Sequence, residues 1–179
     1  MKIRWNRFNI YLSTALVLGL ACGCSTSRHK EKKVYSTLRI HIEVNPDAAR
    51  LSNPVLVHGF SVNVQTEPII TEANVKRAKV IDVLGGFEIS LQFDRQGSWL
   101  LEQYTSAGRG KHLAIFSQWS SSPENKLNKG KWLASPYIPT HITDGMLMFT
   151  PDATREEADQ LVLGLNNVAR KIQAESLTE

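Results

Sequence analysis

An amphipathic segment near the C-terminus constrains the fold most strongly. Thr154 is followed three residues later by Glu157, which is the pattern of a helix capping box. Apolar residues then recur at helical spacing on one face, and Asn166 is among the polar residues opposite. The apolar set is Ala158, Leu161, Val162, Leu165, Val168, Ala169 and Ile172. We expect this helix to cover one face of a sheet, because an apolar helical face must be buried against another element.

Stretches of alternating apolar and polar residues predict the strands of that sheet. Residues 38–44 alternate strictly, and we expect His41 to point to solvent from the polar face. Residues 55–64 predict one strand that is interrupted by a bulge at His58-Gly59. Residues 87–93 alternate in the same way, residues 113–119 form an apolar strand, and residues 146–149 predict a further strand. Residues 132–138 are predicted to be extended, and their prolines confine them to a sheet edge or an irregular stretch.

A second helix is predicted after Asp94, which is a good N-cap residue. It runs to about Thr105, with Trp99, Leu100 and Tyr104 as its apolar side. Strands mixed with helices and hairpins indicate an α+β fold, with a mostly antiparallel mixed sheet and helices packed on one face.

The N-terminus has the features of an export signal. Lys2, Arg4 and Arg7 precede an apolar run over residues 10–21, which is short for a membrane span. The only two cysteines, Cys22 and Cys24, follow this run among small residues. No other cysteine is present, so the domain that follows must be stabilised by its core without disulfides.

This junction resembles the bacterial lipobox, in which small residues precede a cysteine that receives diacylglycerol. The resemblance implies a signal peptide at residues 1–23, lipidation of Cys24 with Cys22 as the alternative, and a tether at 24–34. A single α+β domain at 35–179 would then be lipid-anchored in the cell envelope and exposed to the periplasm or the cell exterior. An uncleaved anchor helix, or cleavage without lipid, is the alternative interpretation.

The charge balance argues against nucleic acid as a partner. The chain has 21 Lys and Arg against 17 Asp and Glu, and three of the basic residues lie in the predicted signal. Without the signal the balance is 18 to 17, so the basic pI does not indicate a nucleic-acid-binding surface.

The sequence shows no spacing typical of a catalytic or metal site. The five histidines lack a metal-ligand spacing, and no Gly-x-Ser-x-Gly motif is present. We therefore expect no cofactor and no enzymatic activity. Trp119 and Trp132 bracket a polar loop, residues 120–131, and form either a partner-contact surface or packing at a sheet edge.

Three blocks in the middle of the chain resemble the head subdomain of the first periplasmic domain of SecD, an accessory of the Sec protein-export channel. They lie at residues 70–80, 91–105 and 110–116, and the last reads Gly-Lys-His-Leu-Ala-Ile-Phe. Further similarity lies at residues 134–145 and 149–158, so the resemblance spans about 67–168. Ser117-Gln118-Trp119 and the polar loop stand where that family has Asp-Gly.

The resemblance implies a non-catalytic, SecD-head-like lipoprotein that binds protein, with Sec translocase components or preprotein chains as partners besides the membrane. We expect no proton-driven motor, because no apolar run beyond the signal is long enough to span a membrane and provide a route for protons. A small-ligand binder with an apolar pocket at the Trp119–Trp132 edge, or a structural envelope lipoprotein unrelated to export, is the alternative function.

Overall fold

The computed structural model of the protein describes residues 34–46, 52–120 and 130–176. All of them belong to one compact unit, Lys32–Glu179. The strands in these residues are β1 (Ser36–Ile42), β2 (Ser52–Val57), β3 (Phe60–Gln65), β4 (Ile70–Thr71), β5 (Val75–Val83), β6 (Gly86–Phe93), β7 (Leu113–Trp119), β8 (Lys131–Ala134) and β9 (Met146–Phe149). The α-helices are α1 (Arg95–Ala107) and α2 (Arg155–Ser176), and a 3-10 turn occupies Glu72–Asn74.

The strands form three antiparallel sheets. The first has the order β4-β1-β7-β8, the second is the β2–β3 hairpin, and the third has the order β5-β6-β9. Every strand pair recorded among them is antiparallel. The predicted α+β class with antiparallel pairing is confirmed, although the strands divide between sheets.

The inner faces of the first and third sheets share one core with both helices. That core includes Leu38, Ile40, Ile115, Leu91, Phe149, Leu101, Leu161 and Leu165. Helix α2 lies against β5 and β1 and so bridges the two sheets. Alternation in the strands and helical spacing in α2 supply the apolar faces that meet there.

Helix α2 begins with the predicted capping box. The Thr154 amide donates to Glu157 Oε2 at 2.9 Å, and the Glu157 amide donates to Thr154 Oγ1 at 3.2 Å. One expectation for α2 is wrong, because Asn166 does not face away from the sheets. Its side chain donates to the carbonyl of Ala78 and accepts from the amide of Ala78, each at 2.9 Å, and so covers the edge of β5.

Helix α1 has the predicted cap and a different buried face. Asp94 Oδ1 accepts from the Gly97 amide at 2.6 Å. The buried residues, Gly97, Leu101 and Thr105, are four apart, which is the spacing of one helical face. Trp99 lies two positions from this face and is exposed, so the prediction for Trp99 was wrong.

Residues 55–64 form a hairpin and not the predicted bulged strand. His58 and Gly59 have φ values of 50° and 83°, both in the left-handed region. Two such residues make the two-residue turn that reverses a strand, and Val57 pairs with Phe60 across it. Apolar residues lie on both sides of this turn and histidine is not a typical turn residue, which explains why a single strand was predicted.

Several predictions concern residues outside the described ranges. These are the signal peptide, the tether with Cys22 and Cys24, and residues 121–129 of the polar loop.

Candidate interaction surface

The outer face of the first sheet carries a cluster of aromatic rings. In the strand register, Phe116 of β7 lies opposite Trp132 of β8. The Phe116 and Trp132 ring centroids are 5.2 Å apart, and the His41 and Trp132 centroids are 5.5 Å apart, both with edge-to-face geometry. This arrangement is the favoured one for aromatic pairs, so the cluster stabilises the face away from the main core.

The β2–β3 hairpin packs over this face. Val62 and Val64 of β3 form a second buried cluster with Ala114, and Val55 and Trp132 pack at its side. The outer face of the first sheet is therefore covered around Ala114 and Trp132, and β7 carries apolar residues on both faces.

His41 is buried at this interface, and the expectation that it points to solvent was wrong. Its Nδ1 lies 2.8 Å from the carbonyl oxygen of Gln65, so Nδ1–H is the donor. Burial lowers the pKa of His41, and the nearby Arg39 lowers it further, while the bond to Gln65 and the Glu67 carboxylate act in the opposite direction. His41 is therefore held neutral and attaches β3 to β1.

The tip of the hairpin exposes two large apolar side chains. Phe60 is 74% exposed and Leu56 is 67% exposed. They point to opposite faces of the hairpin, because Phe60 pairs with Val57, the neighbour of Leu56 in β2. An apolar tip on a polar surface is typical of a contact surface for another protein. Sequence reasoning missed it, because Leu56 and Phe60 were assigned to a bulged strand.

The two tryptophans that were predicted as partner contacts lie on opposite faces of one sheet. Trp119 is 2% exposed and belongs to the main core, so its burial supports the packing interpretation. Trp132 is half-buried on the outer face beside the hairpin. They do not form a common surface, and only Trp132 lies beside the hairpin. We use the name candidate interaction surface for the two faces of the hairpin tip, Leu56 and Phe60, together with Trp132.

Other clusters of polar residues lack the geometry of a reactive site. Glu43 Oε2 accepts from the backbone amide of His112 and lies 2.8 Å from His112 Nδ1, and the Tyr137 ring contacts the imidazole edge. The Glu43 amide also donates to the His112 carbonyl, so the pair links the end of β1 to the start of β7. Within residues 34–46, 52–120 and 130–176, no three His, Cys, Asp or Glu side chains converge on a metal-binding position.

A shallow, open depression lies at the start of α1. Asp94, Arg95, Gln96 and Trp99 line it. It does not resemble a small-molecule pocket, which is concave and largely enclosed. In the part of the chain that the structure describes, neither helix is long and apolar enough to cross a membrane.

Two solved structures have the same fold. One is a structure of SecDF, which is described as a membrane component that enhances protein export. It aligns with a TM-score of 0.52 and 21% identity over 74% of this chain. The other is SecDF in a super-membrane-facing form, with a TM-score of 0.52 and 20% identity over 76% of this chain. The alignments span 62% of the first protein and 19% of the second.

The family comparison agrees with the fold. No curated protein matches the chain significantly. The family described as SecDF, P1 head subdomain, matches residues 48–169, which include the hairpin tip, Trp132 and most of α2. The expected likeness to the SecD head is thereby confirmed, and no enzyme family is indicated: the chain belongs to the SecDF P1 head subdomain family.

Proposed function

We propose that this chain is a non-catalytic protein-binding domain that acts in protein export. The observation that carries the proposal is membership of the SecDF P1 head subdomain family over residues 48–169. Its structural relative SecDF is described as a membrane component that enhances protein export. The partners that fit this role are preprotein chains or components of the Sec translocase.

The candidate interaction surface supports a contact with protein. Phe60 and Leu56 leave apolar surface in water at the tip of a hairpin that Trp132 and its neighbours hold in place. Burying large apolar side chains at the centre of an interface is the usual source of binding free energy, so the tip is the part of the domain we assign to partner contact.

We further propose that lipid on Cys24, or on Cys22 as the alternative, holds the domain at a membrane of the cell envelope. The basic start, the short apolar run and the small residues around the cysteines support this anchor. The domain would then face the periplasm or the cell exterior, where exported chains emerge.

The export role is tested by following a pulse-labelled exported precursor in cells depleted of the protein. We expect unprocessed precursor to accumulate, and wild-type protein to restore processing. A Leu56→Ser, Phe60→Ser double variant should restore it poorly. The matched control is Leu84→Ser, which changes a fully exposed apolar residue at the β5–β6 turn. Unchanged processing in depleted cells overturns the export role.

The anchor is tested separately by labelling cells with radioactive palmitate. Cys24→Ser should remove the label and release the protein from membranes, whereas Cys22→Ser should retain both. The opposite pattern assigns the lipid to Cys22. Label that persists in both variants contradicts assignment to a single cysteine, and label that is absent from the wild-type protein contradicts lipid anchoring.

A further inference from the structure

The two edges of the third sheet differ in whether their backbone groups are covered. The β5 edge is covered, because the Asn166 side chain bonds both the amide and the carbonyl of Ala78. The opposite edge is β9, Met146–Phe149, which pairs only with β6 among the strands that the structure describes. Exposed edges of sheets are places where a further strand can add, and proteins usually block them.

The strand register shows which groups of β9 face the edge. The Phe93 amide donates to the Gly145 carbonyl at 3.0 Å, so this pair is hydrogen-bonded. Hydrogen-bonded and non-bonded pairs alternate along an antiparallel ladder. Leu147 and Phe149 therefore bond to β6, and the backbone groups of Met146 and Met148 point outward.

Only one of these outward groups has a partner in the residues that the structure describes. Asp144 Oδ1 accepts from the Met146 amide at 3.0 Å. Among the described residues, the carbonyl of Met146 and both backbone groups of Met148 have no partner. They present one donor and two acceptors in the alternating geometry of a strand edge.

Other edges of the described sheets carry features that hinder the addition of a strand. On β2, Pro54 lies on the outward side and has no amide hydrogen to offer. On β8, the Leu133 carbonyl accepts from the Asp152 amide at 2.7 Å. Strand β4 has two residues only. Among the described strands, β9 keeps three outward backbone groups open, which makes this edge available to a further strand.

The side chains of β9 suit a partner of variable sequence. Leu147 and Phe149 are buried in the core, whereas Met146 and Met148 are 39% and 46% exposed on the outer face. Methionine is flexible and polarisable, so it packs against side chains of different shapes. Recognition through backbone groups depends little on sequence.

We propose that the β9 edge receives an extended, unfolded segment of polypeptide as an added strand. The partner must be extended, because its backbone has to supply two amide donors and one carbonyl acceptor, at the spacing of a strand, to the open groups of β9. This inference rests on the proposed function, in that the partner is a protein chain, and it specifies how a chain without folded structure is held. Few bonds form, so the contact exchanges rapidly, as binding to a moving chain requires.

The test uses Met148→Pro in the full chain. Proline removes the outward amide, and an edge strand tolerates it where that amide does not bond within the sheet. Met148→Leu is the matched control, since it changes the side chain and keeps the edge. The probe is a fluorescein-labelled, end-blocked peptide of alternating valine and threonine, read by fluorescence anisotropy. A copy N-methylated at every central residue cannot donate backbone hydrogen bonds from those residues.

We expect Met148→Pro to weaken peptide binding about tenfold or more, and Met148→Leu to change it little. The N-methylated peptide should fail to bind. As a second measurement, hydrogen exchange of the Met148 amide in the wild-type chain should slow when the peptide is added. This readout does not depend on whether the proline variant folds.

Equal binding of both peptides, no binding to the wild-type chain, or unchanged exchange at Met148 overturns the inference. The export role is judged separately, by the precursor-processing experiment. Slowed precursor processing without peptide binding rejects strand addition and keeps the function. Peptide binding with unchanged processing rejects the export role and keeps the edge.

Discussion

Replacing Gly164 with alanine should destabilise the domain, although the same change in an ordinary helix stabilises it. Gly164 lies in α2 where the helix crosses the start of β1. A Cβ there would lie 2.7 Å from the Ser36 amide nitrogen and 2.8 Å from the Tyr35 carbonyl carbon, and it would also strike Ser36 Oγ. Two of these atoms belong to the backbone, so the strand itself must move.

The magnitude follows from two opposing effects. Alanine gains about 1 kcal/mol over glycine inside a helix. Overpacking a well-packed core costs about 1–3 kcal/mol. With a cost near the middle of that range, we expect Gly164→Ala to lower the free energy of unfolding by about 1 kcal/mol.

The assay is urea unfolding followed by far-ultraviolet circular dichroism. The matched control is Gly86→Ala at the start of β6, because a Cβ there meets no atom within 4 Å. The control should unfold at the wild-type urea concentration or above it. If Gly164→Ala is as stable as the wild-type protein, the close packing of α2 on β1 is wrong.

Three further predictions concern the contacts that hold the sheets together. Asn166→Ala removes both hydrogen bonds to Ala78 and should lower the free energy of unfolding by about 1–3 kcal/mol. Hydrogen exchange of the Ala78 amide should become faster, and unchanged exchange would contradict the edge-covering role of Asn166. Burial lowers the pKa of His41 from 6.5, so the unfolded chain takes up the proton first and stability should fall as the pH drops below 6.5. A thermal unfolding series from pH 8 to 5 should show a smaller loss for His41→Phe, and an identical pH dependence would refute this. Trp132→Ala removes the ring contacts with His41 and Phe116, so the Val62 and Val64 amides should exchange faster while that of Leu38 does not; equal protection in both proteins would argue against the cluster.

Elements whose sequence signal is local were predictable. The apolar run at residues 113–119 and the capping box at Thr154 predicted β7 and the start of α2 with correct limits. The turn at residues 58–59 was missed because histidine occupies a left-handed position that glycine or asparagine more often fills.

The faces of the tryptophans could not be predicted, because β7 is apolar on both sides. Alternation assigns a face only when one side of a strand is polar, and the β2–β3 hairpin removes that contrast by covering the outer face. The open β9 edge could not be predicted from the sequence either. It depends on which strands pair and in which register, and a local pattern does not contain that information.

The most direct test of the central claim is photo-crosslinking in living cells from a reactive amino acid placed at Phe60. Placement at Leu84, which is exposed on a different turn, gives the background. The account predicts that Phe60 captures many unrelated precursor chains or components of the Sec translocase, and that Leu84 does not. Capture of one defined envelope protein, or no product above the Leu84 background, would contradict an export role for this domain.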